Sequence, residues 1–113
     1  MTTRDDDPIP TGDTARAQHL ARRYGCEFVE LQTIDMKSVF FKTIPEELLF
    51  RYNFVPLEET QEGSVIVAVA DPSQLMMIDE IQLHLGKRII VKVAPLRQIS
   101  NLLRRLRKNR PKA

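Results

Sequence analysis

The sequence predicts a two-layer α/β domain, a small three-stranded mixed sheet packed with helices and preceded by N-terminal helices. Three observations predict it. "SVIVAVA" (64–70) is strand-sized and apolar on both faces, the pattern of a central strand. It runs through "DPSQ" into "LMMIDEIQLHL", a helical stretch stopped by Gly86, and "KRIIVKVAP" then reads as a further strand. A strand after a helical crossover of about a dozen residues is expected to lie parallel to the first, with a right-handed connection. Upstream, "FVPLEE" is joined to the central strand by "TQEG", whose Gly63 suits a hairpin.

The elements follow in order. Residues 1–12 combine three consecutive Asp with two Pro and a Gly, the composition of a disordered acidic leader. Asp13 is a fair N-cap for "TARAQHLARRYG", a helix with Ala17, Leu20, Ala21 and Tyr24 on one face and Gly25 at its end. "CEFVELQTID" reads as an extended connector docking Phe28, Val29 and Leu31 on the core. Thr43 followed by Glu46 has the spacing of a capping box, with Pro45 in the first turn, so a helix is expected from about Ile44 to Tyr52. "MKSVFFK" before it reads as a separate turn or two of helix, with Phe40 and Phe41 joining Leu48 and Leu49 in the core. Pro56 lacks a backbone donor and assigns its strand to an edge. "LRQISNLLRRLRK" closes the fold as a helix with Leu96, Ile99, Leu102, Leu103 and Leu106 on one face. The domain therefore spans 13–106, and 107–113 form a basic tail.

At 113 residues the chain suits one domain, and a hydrophobic fraction of 42% with 28% charged residues is a globular balance. No apolar run approaches the roughly 20 residues of a membrane span. The polar start and the single cysteine, Cys26, fit the cytoplasm. The polar leader and the basic end also favour a complete small protein over a fragment. The net charge of +2 is unevenly spread: residues 1–13 carry one Arg against four Asp, whereas from Arg97 onward there are seven Lys or Arg and no acid.

Catalytic chemistry finds no footing. Asp71 stands at a strand end, where α/β enzymes often hold a reactive carboxylate, yet only Asp79 and Glu80 lie near it in sequence. Asp71 or Ser73 is read instead as a helix cap, with Pro72 near the first turn. The four glycines, Gly12, Gly25, Gly63 and Gly86, are scattered singly and build no phosphate cradle, so neither a Walker motif nor a dinucleotide fingerprint is present. His19, His84 and Cys26 have no paired spacing for a metal. No catalytic residue, metal or cofactor is expected. The run Leu75 to Met77, with Met76 and Met77 in it, could serve an adaptable partner surface or fill the core. The tail residues Arg104, Arg105, Arg107, Lys108 and Arg110 could contact nucleic acid, anionic membrane or an acidic protein face, or could be a solvated helix end.

Taken in order, "LARRYGCEFVEL", "IPEELLFRYNFVPLEE", "VIVAVADPSQLMMIDEIQLHLGKRI" and "VKVAPLRQISNLL" resemble the N-terminal domain of type II secretion and type IV pilus assembly ATPases over about residues 14–106. The resemblance implies a non-catalytic module, docking on a cytoplasmic domain of an inner-membrane platform protein. It carries no ATPase activity over, because the motor with its Walker motifs is absent from these residues. Some family members bind cyclic di-GMP through tandem motifs upstream of the matched region. "RRYGCEF" is only an echo of them, which disfavours a nucleotide partner. The expected role is thus a protein-interaction module, with Arg16, Arg22, Arg23, Met76 and Met77 as candidate contacts. Two other classes stay open: a nucleotide sensor using Arg22, Arg23 and Arg88, and an anion binder using the basic tail.

Overall fold

The computed structural model describes residues 12–31 and 44–109, with side chains as far as Leu106. In chain order these form α1 (Asp13–Tyr24), β1 (Glu27–Phe28), α2 (Glu46–Tyr52), β2 (Val55–Glu59), β3 (Val65–Val69), α3 (Leu75–Leu85), β4 (Ile89–Val93) and α4 (Leu96–Asn109). The leader and the "MKSVFFK" segment with Phe40 and Phe41 lie outside the described residues.

The sheet runs β1-β4-β3-β2. β3 and β4 are parallel, in register from Val65 opposite Ile89 to Val69 opposite Val93, as the helical crossover requires. β2 is antiparallel to β3 and sits at the edge, with a register shift between Pro56 and Glu58. That is where a residue without an N–H is tolerated. The sheet has four strands, not the expected three. The connector after α1 contributes Glu27 and Phe28, which pair in parallel with Lys92 and Val93. Two residues carry no readable period; β4, and the bond that Val29 N–H donates to the Val93 carbonyl at 2.9 Å, hold them extended.

Partners in a parallel register share a face, so Val65, Val67 and Val69 line up with Ile89, Val91 and Val93. Except for half-buried Val91, all six are buried. One core cluster joins β3 to Leu48 and Leu49 of α2, Phe54, Ile81 of α3, and Ile99, Leu102, Leu103 and Leu106 of α4. A second packs Ala17, Leu20 and Ala21 of α1 on Val93. Two expected core residues are exposed, Tyr24 and Leu96. They are the last residue of α1 and the first of α4, at helix ends where one side of the residue has no next turn to cover it.

Helix ends follow local rules in part. Gly25 and Gly86 both adopt the left-handed conformation at φ 67° and stop α1 and α3 as expected. At Gly25 the Cys26 N–H reaches the Ala21 carbonyl and the Gly25 N–H that of Arg22, a Schellman pattern. The N-terminal caps of α1 and α3 depart from expectation, whereas the capping box of α2 rests on a residue outside the described ones. α2 starts at Glu46 behind Pro45, and Thr43 lies outside the described residues. Ser73 does not cap α3, which begins at Leu75 behind Gln74, and neither does Asp71. Its Oδ1 instead accepts from the Ser73 N–H at 3.0 Å and the Ser73 hydroxyl at 2.6 Å, closing an Asx turn before the helix.

Asp13 is the first residue of α1, behind Gly12, and caps another helix. Its Oδ2 accepts the backbone N–H of Arg97, the second residue of α4. One carboxylate thus satisfies an orphan donor of α4 and ties the starts of α1 and α4 together.

Two predictions follow from the packing. Asp13→Ala removes the acceptor for α4 and is expected to lower the stability in urea unfolding by about 1 kcal/mol, the usual worth of a cap, with Thr14→Ala nearly neutral. Ile81→Ala opens a cavity between α3 and the sheet and should cost about 2–5 kcal/mol by the same measurement.

Candidate interaction surface

α3 is apolar on two sides. Ile81 is fully buried, and Met77, Ile78 and Leu85 pack around it on the core. On the opposite side Leu75, Met76 and Leu83 are 69%, 78% and 81% exposed. At 100° per residue, Leu75, Asp79, Leu83 and Met76 fall on one continuous outward stripe, with Glu80 at its border. Large apolar side chains on a second helix face are normally covered, yet no other described element covers this side. Glu80 accepts the Tyr52 hydroxyl at 2.7 Å, and the carboxylate pushes the Tyr52 phenol above its ordinary pKa. The Tyr52 ring also meets His84, centroids 6.1 Å apart. α2 therefore braces the border of the stripe and leaves its centre open.

Where β3 and β4 end, α1, α2 and α3 surround a cleft of about 310 Å³. Val69, Ala70, Ala94 and Met77 make its apolar part, and Arg16, Asn53, Asp71 and Gln74 its polar part. The structure thus brings together two of the expected contact residues, Arg16 and Met77. Met77 is half-buried against the core, and only Met76 of the methionine pair faces outward. Arg22 and Arg23 stand exposed in the last turn of α1, with the Arg23 guanidinium 6.0 Å from the Tyr24 ring centre. Arg88 lines a separate shallow hollow beside Asp79, Leu83 and Lys87. No described pocket joins Arg22 or Arg23 to Arg88.

The basic end is a continuation of α4, which runs to Asn109 and so includes the backbone of Arg107 and Lys108. Arg104 and Arg105 are exposed, and Arg105 borders a hollow with Asp13, Arg97 and Asn101. Arg110 lies outside the described residues. Cys26 is half-buried; its thiol donates to the Tyr24 carbonyl at 3.7 Å, and burial pushes its pKa up, away from a reactive thiolate. Among the described residues no three His, Cys, Asp or Glu converge as for a metal, and no helix is long and apolar enough to cross a membrane.

Leu83 is the surface residue that sequence reading passed over. The signal lay in spacing: Met76 and Leu83 are seven apart, opposite the Ile78, Ile81 and Leu85 set. Apolar residues on both faces read simply as a buried helix.

The family description "MshEN domain" matches residues 24–113. The type IV pilus assembly ATPase PilB of Myxococcus xanthus is 29% identical over 75 residues, 66% of this chain, and the chain spans 13% of that relative's length. Among solved structures, the N-terminal domain of XpsE superimposes with a TM-score of 0.68 at 20% identity, covering 80% of this chain and 64% of the other. MshE, solved with cdg, gives 0.67 at 18% identity over 80% and 65% of the two chains. The structural likenesses show a shared fold. Together with a family match over most of the sequence, they mean that this chain belongs to the MshEN domain family, related to the N-terminal domains of type II secretion and type IV pilus ATPases.

Proposed function

We propose that this chain is a non-catalytic protein-docking module. It acts in the cytoplasm and reaches the inner membrane through its partner, a secretion or pilus component such as the inner-membrane platform protein. The observation that carries this reading is the uncovered stripe Leu75, Met76 and Leu83. Three large apolar side chains on one rigid helix face have a cost in water that only a binding partner removes. Arg16 lies in the cleft beside Met77, on the side of α3 away from the stripe, and Arg22 and Arg23 stand at the far end of α1, so the arginines contribute charge rather than anchoring.

The test is a titration with the purified cytoplasmic domains of the secretion and pilus platform proteins of the same organism, one at a time. Saturable binding by one of them is expected, and Met76→Lys with Leu83→Lys should weaken it by about tenfold or more, the loss typical of removing interface anchors. Unchanged urea unfolding would show that the double variant is folded. No binding by any domain, or equal binding by the variant, contradicts the reading.

A second reading, nucleotide sensing, draws on the structural neighbour MshE having been solved with cdg. It reopens a partner class that the sequence disfavoured, with Arg22 and Arg23 as phosphate contacts, Arg88 lying in a separate hollow. Calorimetry with cyclic di-GMP at low salt separates the two. The docking reading expects no saturable heat, and saturable binding lost in Arg22→Ala with Arg23→Ala would replace it with the nucleotide reading.

A further inference from the structure

The charges on the α3 stripe specify the chemistry of what covers it. α3 carries two acids, Asp79 and Glu80, and no Lys or Arg. Asp79 sits on the stripe between Met76 and Leu83, with Glu80 beside it. Neither makes an ion pair among the described residues, and the only described partner of Glu80 is the neutral Tyr52 hydroxyl. Lys87, just past Gly86, is already held by Glu59 at 2.5 Å. Arg88 lies beyond the end of the helix, beside Asp79 and Leu83 in the neighbouring hollow, and Arg16 lies at the opposite end, in the cleft. The middle of the stripe is therefore apolar and anionic, with its carboxylates uncompensated along the helix itself.

We propose that the α3 stripe binds a cationic amphipathic helix of the partner, with two apolar anchors one on each side of the Asp79–Glu80 pair and Lys or Arg set against those carboxylates. This rests on the docking reading above and adds the partner's chemistry to it. Met76 and Leu83 are seven residues apart, about 10.5 Å along the axis at 1.5 Å per residue, which matches anchors at i and i+7 on a partner helix lying alongside. A second copy of α3 is a poor occupant. In a two-fold contact the midpoint of Met76 and Leu83 falls at Asp79 and Glu80, so the axis would bring acid against acid. A cationic helix instead meets the carboxylates with opposite charge as its anchors bury the leucine and methionine side chains.

The experiment uses the full chain and a pair of designed helical peptides, each with Leu at i, i+3 and i+7. One carries Lys and Arg on the flanks of the Leu face, and the other carries Glu at those places. Fluorescence anisotropy is expected to show the cationic peptide binding at least about tenfold more tightly than the acidic one at low salt, with the difference shrinking as salt rises. Asp79→Asn with Glu80→Gln should remove the discrimination while leaving residual apolar binding, and Met76→Ser with Leu83→Ser should abolish binding of both peptides. Equal binding of the two peptides, or preference unaffected by the Asn and Gln variant, overturns the proposal. If a platform domain binds through Met76 and Leu83 but ignores the loss of Asp79 and Glu80, the docking reading stands and this inference fails. Concentration-dependent self-association, lost when the chain is ended after Leu106, would assign the stripe to the basic end of a second copy and also overturn it.

Discussion

The parallel pairing of β3 with β4 is the constraint from which the rest of the arrangement follows. Two parallel neighbours cannot be joined by a tight turn, so the chain must cross from one end of the sheet to the other, and α3 is that crossing. The in-register pairing puts Val65, Val67, Val69, Ile89, Val91 and Val93 on one face, where the apolar sides of the helices are needed to cover them. Once Ile81 is fixed in that core, the geometry of a helix leaves Leu75, Met76 and Leu83 pointing away from it. The exposed stripe is thus a consequence of where the crossover packs, combined with a sequence that kept apolar residues on the side left open.

That combination separates this surface from the other candidates. Exposed arginines are ordinary on a protein surface, because a guanidinium is well solvated and costs nothing in water. Arg22, Arg23 and Arg104 therefore say little by being exposed. Three large apolar side chains gathered on one helix face are different, since water gains from their removal. The cleft at the strand ends lies where open α/β sheets often bind ligands. Its apolar part is made by residues of the fold, and Asp71 there is engaged in closing a turn. The position that invited a catalytic reading has a structural occupation.

Much of the fold was legible because period and punctuation agreed. The continuous apolar run in 64–70, the helix stopped by Gly86 and the strand after it led to the parallel pair, and Pro56 led to the edge. β1 was not legible, because a two-residue strand is made by its neighbour rather than by its own pattern. Asp13 was read locally as a cap for the helix it begins, whereas its carboxylate reaches a residue 84 positions away. Asp71 was displaced for a related reason: an Asx turn and an N-cap use the same side-chain chemistry, and sequence alone does not say where the helix starts. The interaction surface was half legible. The run Leu75 to Met77 was singled out, but Met77 packs on the core and Leu83 was not singled out, since a pattern of apolar residues does not reveal which face a neighbour covers.

The central claim, that the outward face of α3 is where this domain meets its partner, is tested most directly by methyl NMR. Spectra of the methionine, leucine and isoleucine methyls would be followed as the platform domain is added. The account predicts that Met76, Leu75 and Leu83 shift and saturate together while Ile99 and Leu102, buried on α4, stay in place. Saturating shifts confined to other surfaces, with the α3 methyls unmoved, would contradict it.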